Sequence, residues 1–122
     1  MTRSYNFTVY GHPITQGSMR GVGGGHMKHD NDQLKGWRDL IHMQSNLACP
    51  RDWPQQGPIG LYLVFHFNTE HTGRDVDKLA RACMDALAGS AYNNDHHVCR
   101  LYVDRVVDSS VAERVAIEVE RL

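Results

Sequence analysis

The segment Ile59–Phe67 constrains the fold more than any other part of the chain. It is strongly apolar and rich in branched and aromatic side chains, which is the composition of a buried strand. A loop with two prolines precedes it, and a polar turn over residues 68–74 follows it. The segment therefore predicts a central strand of a β-sheet.

Periodicity places further elements around this strand. Apolar and polar residues alternate over Tyr5–Tyr10 and again over residues 115–119, and residues 98–107 also have the composition of a strand. Asp32 can act as the N-cap of a first helix, and Pro50 lies beyond its expected end. The apolar residues at helical spacing after Asp32, expected to face the core, are Leu34, Trp37, Leu40, Ile41 and Leu47. The flanking sequence thus predicts three more strands and a first helix.

A second helix is predicted to begin near Asp75 and to stop at Gly89. Its apolar stripe has helical spacing and consists of Val76, Leu79, Ala80, Cys83, Ala86 and Leu87. The order of elements is then strand, helix, strand, helix, strand, strand. This order predicts one α+β domain over residues 1–122, with a small mixed sheet and two helices.

The segment of about 16–31 is rich in glycine and is expected to form a flexible loop. No Gly-Lys-Ser/Thr follows it, so it does not match a phosphate-binding loop. Basic residues outnumber acidic ones from Met1 to Arg51, although the whole chain has a net charge of −1. Such a region can guide a polyanion, and its candidate DNA contacts are Arg20, Lys28, Lys35 and Arg38.

Composition argues against several classes of protein. No apolar run approaches the roughly 20 residues that span a bilayer, and Met1–Tyr10 lacks the apolar core of a signal peptide. The three cysteines, Cys49, Cys83 and Cys99, are odd in number and widely spread, which predicts a reduced compartment without a disulfide framework. We expect a cytoplasmic protein.

A group of carboxylates surrounds the second predicted helix. Asp75 and Asp77 flank its start, Asp95 lies in the loop beyond it, and Asp77, Arg81 and Asp85 are spaced by four. Residues at this spacing share one helical face. Carboxylate oxygens suit Mg²⁺, and a nearby arginine can stabilise charge developing on a phosphate.

The spacing alone also permits a plainer interpretation. Acidic residues favour helix starts because of the helix dipole. The series Asp77, Arg81 and Asp85 could also be a solvated ladder of ion pairs that contributes little.

The stretch around these carboxylates resembles the signature of the RusA family of crossover junction endodeoxyribonucleases, the Holliday junction resolvases. Nine residues occur in the family's order and at nearly its spacing: Arg74, Asp75, Asp77, Arg81, Asp85, Ala86, Leu87, Gly89 and Asp95. The early Gly11-x-Pro13 and Gly17-x-x-Arg20 resemble the family's N-terminal turn and basic loop. The resemblance extends along the chain and is most specific over residues 74–95.

Some positions depart from the family pattern. Lys78 stands where asparagine is usual, and Arg81 stands where the family has lysine. Arginine keeps the charge without the compact ammonium geometry, so a lower rate is expected. Asn94 replaces the first acid of an Asp-Asp pair and leaves Asp95 as the ligand, and His96-His97 follow where small polar residues are common.

The resemblance implies a RusA-like homodimer that resolves four-way DNA junctions by paired, Mg²⁺-dependent cleavage. Asp75, Asp77 and Asp95 would hold the metal, with Mn²⁺ as a substitute, and Arg81 would stabilise the transition state. The setting would be the cytoplasm of a bacterial host, with the gene on a phage or prophage as one alternative. Further DNA contacts would be Arg74, Lys78 and Arg105.

Two other functions remain open from the sequence. One is a metal-dependent hydrolase of small phosphate compounds, and the other is a nucleic-acid-binding module without catalysis. A zinc site near His96, His97 and Cys99 lacks the paired ligand spacing that zinc sites show. We therefore expect Cys83 and Cys99 in the core, and Trp37 as a core anchor of the first helix.

Overall fold

The computed structural model describes residues 2–17, 24–70 and 74–122, and the side chains of residues 24–31 lie outside this description. These parts contain four strands, two α-helices and one short 3₁₀ helix. In chain order they are β1 (Ser4–Tyr10), α1 (Gly24–Ala48), β2 (Ile59–Phe67), α2 (Val76–Leu87), the 3₁₀ helix (Asp95–His97), β3 (Val98–Val107) and β4 (Arg114–Arg121). The predicted α+β class and the predicted segments of β2 and β3 are confirmed.

The four strands form one mixed sheet in the order β1-β4-β2-β3. β4 pairs antiparallel with β1 and with β2, whereas β2 and β3 are parallel. β2 is therefore an inner strand, as its composition predicts, and β3 is an edge strand. Parallel neighbours need a crossover connection, which α2 supplies between β2 and β3.

Both helices cover one face of the sheet. Every second residue of β2 is fully buried, whereas Tyr62, Val64 and His66 between them are only half-buried, so the opposite face is more open. The first helix contributes Trp37 and Ile41 to the core, and α2 contributes its apolar side. Each large buried side chain adds roughly 1.5–3 kcal/mol, and this burial holds α2 on the sheet.

The first helix is longer than the sequence predicts. It begins at Gly24 and not at Asp32, so the expected loop over about 16–31 is wrong for residues 24–31, and residues 18–23 lie outside the described chain. Glycine disfavours a helix by about 1 kcal/mol per residue. Extending a helix already formed adds one hydrogen bond per residue, however, and the packed turns beyond Asp32 supply the nucleus.

Three apolar residues lie outside the core that the sequence predicts for them. Leu47 and Val76 are 76% and 42% exposed, because they lie in the last turn of α1 and the first turn of α2. Cys99 is also exposed, since it follows the first residue of the edge strand β3, whereas Cys83 is buried as expected. Trp37 is confirmed as a core residue.

Candidate active site

The outer face of α2 carries three of the predicted site residues. Asp77, Arg81 and Asp85 are all exposed, so the predicted polar face is confirmed. The residues between them that are buried are Leu79, Ala80, Ala82 and Cys83. Asp75 is the N-cap residue, has an extended backbone and makes no side-chain capping hydrogen bond. Its carboxylate is therefore not used in holding the helix end, where the dipole favours negative charge.

Asp75 and Asp77 are available to a ligand. Lys78 Nζ lies 3.4 Å from Asp75 Oδ2, and both side chains are about half-exposed. An ion pair of this kind contributes about 0–1 kcal/mol, so it is easily displaced. Asp77 has no ion pair or side-chain hydrogen bond with any residue the structure describes.

The alternative of a salt-bridge ladder does not match the geometry of α2. Within the described chain no ion pair joins Asp77, Arg81 and Asp85. The side chain of Asp85 instead accepts a hydrogen bond of 2.5 Å from Gln16 Nε2. Arg81 lies one helical turn beyond Asp77, and its guanidinium forms no ion pair or hydrogen bond with the residues that the structure describes.

Gln16 connects the N-terminal segment to both helices. Its backbone N–H donates to Lys78 O at 3.0 Å, and its Oε1 accepts from Arg38 Nη1 at 3.1 Å. Together with its bond to Asp85, these contacts fix the segment along α2 and engage one of the predicted DNA-binding arginines. The sequence offers no signal for this role, because the partners of a loop glutamine depend on the tertiary fold.

Arg74 and Arg105, both predicted DNA contacts, meet beside Asp75. The guanidinium of Arg74 lies over the ring of Phe67, 4.2 Å from its centroid, and donates to Thr69 O at 3.2 Å. Arg105 in β3 donates a hydrogen bond to the carbonyl oxygen of Arg74. The two arginines thus hold the backbone that leads into Asp75.

A histidine–glutamate pair lies at the same end of the sheet. His12 Nδ1 donates to Glu113 Oε1 at 2.6 Å, and Asn68 N donates to Glu113 Oε2 at 3.1 Å. The hydrogen bond from His12, helped by that from Asn68, holds the pKa of Glu113 below its usual value. The imidazole and the Phe67 ring also form an edge-to-face contact, with their centroids 5.9 Å apart.

Asp95 begins the 3₁₀ helix that leads into β3. Its side chain is exposed and has no hydrogen bond or ion pair with any described residue. Asn94 caps this helix, because its side chain accepts from His96 N at 3.0 Å. Asparagine is well suited to such local capping, so this departure from the family pattern has a structural role here.

Within a single copy of the chain, the three predicted metal ligands lie at opposite ends of α2, with Asp75 and Asp77 at its start and Asp95 beyond its end. Asp75 follows the end of β2, whereas Asp95 precedes the start of β3, and the two strands run parallel. The 12 residues of α2 separate the two positions by about 18 Å along the helix axis. Consistent with this, no three His, Cys, Asp or Glu side chains among the described residues are grouped to hold a metal ion.

Of the remaining basic residues predicted to contact DNA, the structure describes the side chain of Lys35 but not those of Arg20 and Lys28. Lys35 pairs with Asp39 on the surface of α1, at 2.7 Å. Arg20 and the side chain of Lys28 lie outside the described residues, so their predicted DNA contacts stay predictions. Cys83 is fully buried in the core, and this burial raises the pKa of its thiol.

Comparison with models of known protein families supplies a match that covers most of the chain. The family model for endodeoxyribonuclease RusA matches residues 11–120 of the 122-residue chain. That range contains every site residue described above. No curated protein matches the chain significantly. Among the described residues, no helix is both long and apolar enough to cross a membrane.

Proposed function

The chain belongs to the RusA family of endodeoxyribonucleases, and on this premise we propose that it resolves four-way DNA junctions by paired, metal-dependent cleavage. The observation that carries the proposal is the outer face of α2. Two exposed carboxylates, Asp75 and Asp77, begin this face, and Arg81 follows one turn later. None of these side chains is needed to hold the fold.

The donor set fits a hard divalent cation. Asp75, Asp77 and Asp95 offer only carboxylate oxygens, which is the chemistry that Mg²⁺ prefers, and Mn²⁺ accepts the same ligands. An ion held by these residues would supply Lewis-acid chemistry, activating water and neutralising charge on the phosphate. Arg81 contributes a permanent positive charge one helical turn from Asp77, which would stabilise the negative charge that grows as the phosphodiester bond breaks.

Two copies of the chain complete the acid set. Asp95 lies at the far end of α2 from Asp75 and Asp77, so a site with all three carboxylates requires Asp95 of a second copy. A homodimer built in this way has two equivalent sites, which suits the near two-fold symmetry of a four-way junction. Each site then cuts one of two symmetry-related strands.

The DNA backbone would be held by a set of basic residues around the two sites. We assign these phosphate contacts to Arg20, Lys28, Lys35, Arg38, Arg74, Lys78 and Arg105. The affinity from such phosphate contacts falls as the salt concentration rises, and it does not depend on the base sequence of the DNA. As the family resemblance implies, we expect the protein to act on this DNA in the cytoplasm of a bacterial host.

Nicking of a synthetic four-way junction tests this function. We expect Mg²⁺-dependent paired cuts in the junction, and much weaker cutting of a linear duplex of the same sequence. Junction binding without cutting at any Mg²⁺ or Mn²⁺ concentration would identify a binding module. Hydrolysis of a small phosphate ester without junction cleavage would identify a small-molecule hydrolase, and either result contradicts the proposal.

Mixing two inactive variants tests whether the carboxylates come from two copies. Asp77→Asn and Asp95→Asn should each be inactive alone. In a mixed dimer, one site retains Asp77 from one copy and Asp95 from the other, so mixing should restore single-strand nicking at up to about half of the dimers. If the ligands all came from one copy, the mixture would stay inactive, as a mixture of Asp75→Asn with Asp77→Asn should.

A further inference from the structure

His12 and Glu113 form a hydrogen-bonded pair at the end of the sheet where β2 leads towards α2. His12 Nδ1 donates to Glu113 Oε1 at 2.6 Å, and half of the His12 side chain is exposed. Nε2, the other ring nitrogen of His12, has no hydrogen bond with any residue that the structure describes. Among the histidine side chains of the described chain, only that of His12 is paired with a carboxylate.

A carboxylate bonded to one imidazole nitrogen leaves the other nitrogen free for proton transfer. The carboxylate fixes the orientation of the ring and stabilises the imidazolium that carries the proton. An ordinary surface ion pair joins two exposed and mobile side chains. The Glu113 side chain, in contrast, is only 16% exposed and also accepts a hydrogen bond from Asn68 N at 3.1 Å. The pair therefore has the arrangement of a histidine in acid–base catalysis.

The pair lies beside the start of the candidate active site. The imidazole and the Arg74 guanidinium both contact the Phe67 ring, and Arg74 directly precedes Asp75. The hydrogen bond from His12 is the main cause that lowers the pKa of Glu113, and the charge of Arg74 adds to it. Arg74 and the pair are thus within electrostatic reach of each other.

The segment that carries His12 runs alongside α2 from its start. His12 contacts the end of β2, and a few residues later Gln16 N donates to Lys78 O at 3.0 Å. His12 therefore lies near the beginning of α2, before Asp77 is reached. Arg81 lies in the other direction, one helical turn beyond Asp77.

We propose that His12 is the general acid of the nuclease reaction and gives its Nε2 proton to the oxygen that leaves phosphorus when a strand is cut. This inference rests on the proposed function, since it assigns a catalytic residue to the same site. A phosphate held at Asp75 and Asp77 would have Arg81 on one side and His12 on the other. That arrangement suits an in-line displacement, in which the attacking and leaving oxygens lie on opposite sides of phosphorus. Glu113 is then a positioning residue.

The proton from His12 completes the hydrolysis. Water adds to phosphorus and loses one proton to solvent, while the bond between phosphorus and the leaving oxygen breaks. The electron pair of that bond stays on the leaving oxygen, which takes the Nε2 proton and becomes a neutral hydroxyl end. His12 is then a neutral imidazole, still bonded to Glu113 through Nδ1, and solvent returns its proton before the next cut.

A junction with sulfur in place of the leaving oxygen tests this step. The ends of the wild-type products identify which bridging oxygen leaves, and that oxygen is replaced at the cleavage site. A thiolate leaves without a proton, because a thiol ionises near pH 8.5 and so far more readily than an alcohol. The rate on this sulfur junction should therefore not depend on a general acid, whereas the rate on the ordinary oxygen junction should.

His12→Asn is the variant that separates catalysis from structure. Asparagine offers an N–H donor close to the position of Nδ1, which can keep the bond to Glu113, but it has no counterpart of Nε2. Its single-turnover rate should fall about 10²-fold or more on the oxygen junction and by less than about threefold on the sulfur junction. An unchanged rate on the oxygen junction, or an equal loss on both junctions, overturns the proposal.

Two further variants complete the experiment. His66→Asn is the matched control, since His66 is a half-buried histidine on the open face of β2, directly before Phe67, and it should cut both junctions at the wild-type rate. Glu113→Gln keeps an acceptor for His12 but loses the charge that stabilises the imidazolium. It should lose about tenfold on the oxygen junction alone. Equal losses on both junctions, or no loss on either, contradict the positioning role of Glu113.

The outcomes separate the general acid from the proposed function. A wild-type protein that cuts the oxygen junction no faster than His12→Asn leaves the nuclease standing and overturns the general acid. A wild-type protein that cuts neither junction removes the nuclease, and this step with it.

Discussion

Arg105 in β3 donates a hydrogen bond to the main-chain carbonyl oxygen of Arg74, the residue directly before Asp75. The end of the edge strand therefore fixes the backbone at the point where α2 and its carboxylates begin. The side chain of Arg74 is held as well, over the ring of Phe67. The acid end of α2 is thus attached to the sheet by two arginines that sequence analysis assigns only to DNA binding.

This attachment predicts a positioning role for Arg105. Replacing it with alanine should remove a charge-assisted hydrogen bond, worth about 1.5–3 kcal/mol, and loosen Asp75. We expect the single-turnover cleavage rate to fall about tenfold and the Mg²⁺ concentration for half-maximal rate to rise. Arg105→Lys should recover part of both. Arg51→Ala is the control, since Arg51 is an exposed arginine without described partners, and loss of DNA affinity alone in Arg105→Ala would argue for a binding role.

Arg81 should act on the transition state. It lies one turn beyond Asp77 on the exposed face of α2 and has no described partner to neutralise it. Arg81→Ala should lower the maximal cleavage rate by roughly 10²–10³ with little change in junction affinity. Arg81→Lys should restore much of the rate, because the family pattern has lysine there. A variant that loses affinity but keeps its maximal rate would move Arg81 to the binding surface.

Arg20 and Lys28 should act on binding alone. Each alanine variant should weaken junction binding and reduce the slope of log affinity against log salt by about one per lost phosphate contact. Single-turnover cleavage at saturating protein should stay near the wild-type rate. Arg3, an exposed residue just before β1, gives a charge-matched control. An unchanged salt slope in both variants would exclude these residues from the DNA contact surface.

Glu113 should make stability depend on pH. The hydrogen bonds from His12 and Asn68 hold its pKa below the usual value near 4.3, so the folded state favours the ionised carboxylate. That contribution is complete above the unfolded pKa and is lost as pH falls through the lower folded value. Glu113→Gln should therefore lower Tm by about 3 °C at pH 7, and the difference should shrink as the pH falls below the unfolded pKa of about 4.3. A difference that does not change with pH would show that the charge of Glu113 is not involved.

The parts of the fold that depend on local pattern could be predicted from the sequence. The bounds of β2 and β3 follow from apolar composition, and the polar face of α2 follows from the spacing of Asp77, Arg81 and Asp85. The early start of α1 could not be predicted, because glycines disfavour a helix. Here the helix is already anchored in the core beyond Asp32, and extending it to Gly24 outweighs that unfavourable propensity.

The long-range contacts of the site were not available from the sequence. His12 and Glu113 are 101 residues apart, and Gln16 and Asp85 are 69 apart, so only the folded sheet brings them together. Asp95 lies in the loop just past α2, and from the sequence alone this loop could fold back and bring Asp95 to Asp75. The direction of α2 overrides this proximity, because the helix carries the chain back along the sheet before Asp95 is reached.

The most direct test of the account is cleavage of a four-way junction by Asp75→Asn, Asp77→Asn and Asp95→Asn under single-turnover conditions with Mg²⁺. Each variant should bind the junction as tightly as the wild type or more tightly, because a repelling charge is lost while the basic contacts remain. Each should also fail to cut either strand. Three variants that still nick at the wild-type rate would contradict the assignment of these carboxylates as the metal site.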